Sequence, residues 1–197
     1  MEKKLEKIKQ KVTECTKCEL SITRNKSVPG KGNYKSDVIF VGEAPGKNED
    51  MKGEPFIGIA GKKLSLALEG VGITRDEVYI TNIVKCRPPK NRVPTTTERD
   101  TCQNYLKKEI DIIKPKIICV LGNTAFNSLL DGKEIMKFRG KIVRKNNQLY
   151  FLTIHPAATI YNQKLISVLK KDIKKLFKLI KELKDEKGIK INIEHTS

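Results

Sequence analysis

Four cysteines are spaced so that they could share a metal centre. Cys15 and Cys18 form a Cys-x2-Cys pair, Cys86 follows much later, and fifteen residues separate it from Cys102. In a chain expected to work in a reducing compartment, such a set argues for metal before disulfides. Four thiolates suit either a structural zinc or an iron–sulfur cluster. A zinc ribbon usually brings two tight pairs. Here the second pair is spread over a proline-rich loop and a helix, which favours the cluster. Cys119 differs from these four, because it lies inside an apolar run and reads as a small core residue.

A second set of residues could act on a bound ligand. Asp37-Val38-Ile39-Phe40-Val41 runs straight into Gly42-Glu43-Ala44-Pro45-Gly46. A short apolar run bounded by turn formers reads as a buried strand. The glycines and proline make a tight turn that lets backbone approach a ligand. Glu43 then stands at the carboxyl edge of a strand, where open α/β sheets place their sites. Taken alone, so short a motif better suits a plain strand-to-helix connection. Three other features accompany it: Asn82 after a second strand, Phe56 in Gly53-Glu54-Pro55-Phe56-Ile57-Gly58, and the turn His155-Pro156-Ala157-Ala158. Each has a structural alternative, Asn82 as a turn former and Phe56 as a core ring.

The elements that must position these residues are legible from periodicity. Leu5, Ile8 and Val12 predict an amphipathic helix over 2–13 that ends near Cys15. Residues 21–36 read as a loop, 37–41 as a strand and 60–70 as a helix stopped by Gly70. Val78-Tyr79-Ile80 predicts the strand that enters Thr81-Asn82-Ile83-Val84-Lys85-Cys86-Arg87-Pro88-Pro89. A helix from about Thr97 to Ile113 is ended by Pro115, and Ile117 to Gly122 is the plainest buried strand. Residues 123–130 read as a short helix. Ile142-Val143 and Tyr150 to Ile154 flank Asn146-Asn147 as a hairpin or strand pair. The last helix, near 163–184, carries an apolar stripe from Leu165 to Leu183 with lysines largely outside it, by default a solvated face. Residues 185–197, including His195, read as a frayed tail. Alternating strands and helices predict one α/β layered domain over 1–184 with a mainly parallel sheet.

Composition narrows the partner. Forty Lys plus Arg against 23 Asp plus Glu leaves a net charge of +17. An excess of one sign points to a polyanion such as nucleic acid, with phosphate contacts giving salt-sensitive affinity. The alternative is a lysine-coated surface of the kind heat-adapted proteins carry. No apolar run is long enough to span a membrane, and the Lys-rich start lacks a signal-peptide core, so an intracellular, cytoplasmic protein is expected.

Taken together, Gly42-Glu43-Ala44-Pro45-Gly46, Pro55-Phe56-Ile57-Gly58, Thr81 to Pro89 and His155-Pro156-Ala157-Ala158 resemble the motifs of the family 4 uracil-DNA glycosylases, as does the cysteine spacing. The resemblance spans about residues 5–180, and its specificity lies in the joint occurrence of the motifs in this order. It implies a three-layer α/β/α sandwich around a four-stranded, mainly parallel sheet. It also implies a structural [4Fe-4S] cluster on Cys15, Cys18, Cys86 and Cys102, and a monofunctional enzyme that excises uracil from DNA, expected as a monomer. Any sliding-clamp or replication partner is beyond what the residues indicate.

On that resemblance, Phe56 stacks on a flipped base, and Asn82 pairs with its edge, accepting from uracil N3–H and donating to O4. His155 donates to the oxygen where negative charge develops. Glu43 takes the water-handling or charge-stabilising role, and the main chain of Gly42 and Ala44 lines the site. The chain departs from the better-known family 1 pattern, which has an Asp where Ala44 stands and a Tyr where Gly46 stands. Its general base therefore does not transfer, and Glu49 and Asp50 are back-up carboxylates. Ala157 replaces a Ser of the commoner His-Pro-Ser turn and removes a phosphate-binding hydroxyl. Residues 158–162 are expected to fill the vacated base stack. A related group traps the sugar through a His in a basic loop; residues 87–99 contain none, which points to ordinary hydrolysis. The competing class is a non-catalytic nucleic-acid-binding protein with a four-cysteine metal site, which needs an exposed groove rather than an enclosed pocket.

Overall fold

The computed structural model describes residues 1–185. Most of the expected tail, His195 with it, falls outside them. Six strands form one sheet: β1 (Lys31–Gly32), β2 (Val38–Gly42), β3 (Tyr79–Asn82), β4 (Ile117–Leu121), β5 (Ile142–Lys145) and β6 (Gln148–Thr153), in the order β1-β3-β2-β4-β6-β5. The inner four, β3, β2, β4 and β6, are mutually parallel, matching the expected four-stranded core. The short edge strands β1 and β5 add antiparallel pairs that periodicity does not reveal. β1 and a one-turn helix, α2 (Leu20–Thr23), lie in the stretch expected to be loop.

Every residue of β2 and β4 is buried, as parallel strands covered on both faces must be. Alternation along β2 divides the core. Ile39 and Val41 face α1 (Glu2–Thr13), α5 (Thr96–Ile113) and α6 (Asn123–Leu130). Val38 and Phe40 face α4 (Ile59–Glu69) and α9 (Leu165–Lys184). The result is a three-layer α/β/α arrangement. On α9 the residues Leu169, Ile173, Leu176 and Ile180 are buried, so the stripe read from spacing does face the sheet.

Local chemistry sets the ends of these elements. Thr95 caps α5: its hydroxyl accepts from the Glu98 N–H at 3.2 Å. Glu98 Oε2 in turn accepts from the Thr95 N–H at 2.8 Å. The two bonds form a reciprocal capping box. Asn146 and Asn147 both have positive φ, the mirror-image turn that a two-residue hairpin between β5 and β6 requires. Besides α2, three short helices escaped the periodicity reading: α3 (Lys47–Lys52), α7 (Ile135–Phe138) and α8 (Ala158–Tyr161). One or two turns carry too few apolar repeats to register as a stripe. In chain order β3 lies on one side of β2 and β4 on the other. The crevice beyond the carboxyl ends of β2 and β4 is thus the switch point of the sheet.

Candidate active site

A cleft of about 520 Å³ opens over that switch point, and Glu43, Phe56, Asn82 and His155 all line it. Gly42 ends β2 in register with Asn82 at the end of β3. A methyl group on Gly42 would collide with the Phe56 ring and lie 2.6 Å from Asn82 Oδ1. Only glycine lets ring and amide meet over the strand end. Asn82 is 1% exposed, and its Oδ1 is buried without a hydrogen-bond partner among the described residues. A buried acceptor left open costs stability unless something else fills it, which marks a place for a ligand donor.

Phe56 sits on a turn, as expected, yet its ring is buried and also joins the core cluster beneath α4. Its φ of +53° is strained for a side-chain-bearing residue. Two features hold it there. The Arg75 guanidinium donates to the carbonyl oxygens of Pro55 and Phe56, the latter at 2.6 Å. Gly61 packs against the Phe56 carbonyl so closely that a Cβ would overlap the oxygen. Burial lowers the Arg75 pKa, with the Glu54, Asp76 and Glu49 carboxylates opposing it.

His155 follows β6, its ring 5.6 Å from that of Phe56 with the planes tilted by 32°. The Ala157 N–H donates to Nδ1 at 3.2 Å. The neutral ring therefore carries its proton on Nε2. Burial pushes the pKa down to about 4, opposed by the nearby Glu49 carboxylate. At neutral pH the imidazole is an uncharged donor. Gly122, at φ +87°, leaves no room for a Cβ beside His155, which fixes how closely the β4 turn approaches the histidine.

Glu43 is half-buried, and Thr124 Oγ1, in the first turn of α6, donates to its Oε2 across the switch point. The two back-up carboxylates separate. Glu49 lines the cleft, but its oxygens accept the N–H groups of Gly46 (3.1 Å), Ile57 (2.9 Å) and Gly58 (2.7 Å), so it staples two loops together. Asp50 is 1% exposed and accepts from the Asn25 backbone N–H at 2.9 Å and from Nδ2 at 2.6 Å, outside the cleft lining. Asp50 is structural. At the rim, Arg92 makes a two-pronged pair with Glu98, at 2.6 and 2.8 Å. That pairing holds the Glu98 carboxyl below its usual range. Tyr161 on α8 is 90% exposed at the same rim. Thr124 and Arg75 escaped the sequence reading. Thr124 had a usable signal, a hydroxyl just after a buried strand. Arg75 had none, because its partners are backbone oxygens nearly twenty residues away.

The four spaced cysteines also come together. Cys15, Cys18, Cys86 and Cys102 line one small cavity between the end of α1, the loop after β3 and α5, and none is in a disulfide. Cys86 is buried despite its polar loop neighbours. Arg24 Nη1 donates to Cys86 Sγ at 2.9 Å, and the Lys85 N–H to Cys102 Sγ at 3.3 Å. Burial raises the Cys86 thiol pKa and lifts that of Cys102 to about 12. Cys119 is fully buried in β4, as its apolar context indicated.

The chain is similar to proteins of known family. Residues 29–183 match the model of the uracil DNA glycosylase superfamily. The chain is 45% identical over 185 residues to a type-4 uracil-DNA glycosylase of Sulfurisphaera tokodaii, covering 89% of this chain and 84% of the relative. It is 42% identical over 184 residues to that of Archaeoglobus fulgidus, covering 89% and 92%. With the type-4 enzyme of Thermotoga maritima it shares 40% over 186 residues, covering 92% and 97%.

Proposed function

The chain belongs to the uracil DNA glycosylase superfamily, and from that premise we propose that it flips uracil out of DNA and hydrolyses its N-glycosidic bond. The products are free uracil and an abasic site. The observation that carries this reading is the unpartnered Asn82 Oδ1, walled by Gly42 and edged by the Phe56 ring. A pyrimidine lying along Phe56 would present N3–H to Oδ1 and O4 to the amide Nδ2. Cytosine offers the opposite pattern at both atoms.

The remaining groups suit the chemistry. As the C1′–N1 bond breaks, its electron pair leaves with uracil, charging N1 and O2, while the sugar becomes cationic. The Nε2–H of neutral His155 stabilises the developing anion. The Glu43 carboxylate, held by Thr124, offsets the cationic sugar and orients the water that bonds to C1′. One water proton passes to Glu43 or solvent, and the uracil anion is protonated on release. Arg92 at the cleft rim and the excess of lysine and arginine suit phosphate contacts. Tyr161 and Ile160 are the large apolar side chains of 158–162 exposed enough to fill the vacated stack.

The donor set suits a [4Fe-4S] cluster on Cys15, Cys18, Cys86 and Cys102. Free thiols with pKa values raised by burial would stay protonated, whereas metal deprotonates them outright. The preference for an iron–sulfur cluster over zinc comes from the spacing, one Cys-x2-Cys pair and two well-separated partners, and all four residues line one small cavity. Arg24 and the Lys85 N–H provide the kind of sulfur-directed donors that clusters take. When bound, the cluster supplies a covalent cross-link between α1, the Cys86 loop and α5.

We further infer a single domain over 1–184 that acts as a monomer inside the cell; no helix among the described residues is long and apolar enough to cross a membrane. The deciding experiment is a uracil-containing oligonucleotide treated with the purified protein and then alkali. Strand breaks at uracil and none in a thymine control are expected. Retained DNA binding without breaks would leave only a binding module.

A further inference from the structure

Beside the thiol cavity, whose lining includes Lys85, lies a buried ion pair whose charges neither site uses directly. Lys85 and Glu109 are each 1% exposed, with Nζ and Oε2 2.7 Å apart. The ammonium has three protons and three acceptors: Glu109 Oε2, Thr81 Oγ1 and, at 3.0 Å, the main-chain oxygen of Asn82. Glu109 is equally occupied, accepting from Thr81 Oγ1 at 2.9 Å, the Gly30 N–H at 3.0 Å and Tyr79 OH at 3.4 Å. A buried ion pair is rarely a net gain over apolar residues of the same volume, so stability alone is a weak reason for it.

Its connections suggest another. Lys85 grips the carbonyl of the residue whose side chain carries the unpartnered acceptor. Its own N–H reaches Cys102 Sγ, its own carbonyl accepts from the Val28 N–H at 2.7 Å, and Cys86 is the next residue. Glu109 stands on α5 two turns beyond Cys102. We infer that the Lys85–Glu109 pair is a positioning device: it locks the Asn82 backbone at the end of β3 to the segments carrying Cys86 and Cys102, and so sets the reach of the Asn82 amide toward the base. Main-chain bonds from the Ile83 N–H to the Gly42 oxygen (2.9 Å) and from the Val84 N–H to the Glu43 oxygen (3.2 Å) hold the chain just past β3 on one side, and the ammonium holds the Asn82 oxygen on the other. The inference rests on the reading of Asn82 as the base-edge reader.

The test is the double substitution Lys85→Met with Glu109→Leu, which removes both charges together and spares either from being left unpaired. Each single variant should lose thermal stability, and the double should recover most of it. Despite that recovery, kcat on a uracil oligonucleotide should fall by about 10²-fold, the scale of a misplacement of about 1 Å. Inhibition by free uracil should weaken in parallel, while affinity for an abasic-site oligonucleotide stays at the wild-type value. A double variant as stable and as active as wild type, with unchanged uracil inhibition, overturns the positioning role. Should the double not fold, Glu109→Gln retains the shape and most of the hydrogen bonds. It should show the same split between uracil and abasic-DNA affinity to a smaller degree, and equal loss in both would overturn the inference. Wild-type protein that releases no uracil would instead sink the functional reading itself, a distinguishable failure.

Discussion

The cleft and the thiol cavity share the segment that ends β3 and the loop after it, yet they are finished in opposite ways. The cleft keeps polar capacity open. Among the described residues Asn82 Oδ1 is unpaired, the His155 ring accepts the Ala157 N–H at Nδ1, and the Phe56 ring borders the open space. The thiol cavity is small, and its sulfurs already receive donors from Arg24 and Lys85. On the proposed function, the difference follows from how long each occupant stays. A site that must release its ligand leaves its hydrogen bonds unmade between turnovers and bears that cost locally. A site for a resident group is closed around it and gains stability from it.

Breaking the resident side should have the largest effect. Cys102→Ala is expected to abolish broad visible absorbance and to lower Tm by on the order of 10 °C or more, since several kcal/mol are at stake and each shifts Tm by about 2–4 °C at this size. A colourless variant with wild-type Tm would remove the structural role of the thiols.

On the transient side the fold should survive and chemistry should fail. His155→Ala is expected to slow single-turnover excision by about 10²–10³-fold while DNA affinity changes little. The pH profile sharpens the same point. Because the folded-state pKa of His155 is pushed down to about 4, activity should persist unbroken through pH 6.5 and decline only as pH approaches 4. The sign for stability agrees. The folded state resists protonation more than the unfolded one, so this group's contribution is present above about 6.5 and is lost as pH falls through about 4. An acid limb centred near 6.5 would show that the ring is more solvated than its burial implies.

Smaller effects belong to the walls. Gly42→Ala places a methyl 2.6 Å from Asn82 Oδ1. It should weaken inhibition by free uracil by about 10²-fold and, because the methyl also overpacks the buried Phe56 ring, lower Tm by roughly 2–10 °C. Asn82→Asp should relax the choice of uracil over cytosine, and intact cytosine rejection with uracil activity retained would remove its reading role. Thr124→Val, which deletes one hydrogen bond to Glu43, should cost about threefold to tenfold in kcat. An unaffected rate would mean Glu43 orients itself.

Much of this molecule was determined by local sequence. A short β-branched apolar run such as Ile117 to Leu121, bounded by Pro115 and Gly122, reads as a buried strand. Asn146-Asn147 accepts the positive φ of a tight hairpin, and Thr95 with Glu98 caps a helix whatever lies around it. The candidate residues Glu43, Phe56, Asn82 and His155 were legible too, because each stands on a glycine- or proline-marked turn or at a strand end. Tertiary structure decided what those residues can do. It set the tautomer of His155 through the Ala157 N–H, left Asn82 Oδ1 open, and divided Glu49 from Asp50 although they are adjacent in the chain. It also brought Arg75 onto the Phe56 turn and Lys85 onto Glu109, 24 residues away. The physical reason is one of range. Backbone propensity and hydrophobic period are written into neighbouring residues, whereas solvation and hydrogen-bond partnership depend on which distant groups the packed layers press together.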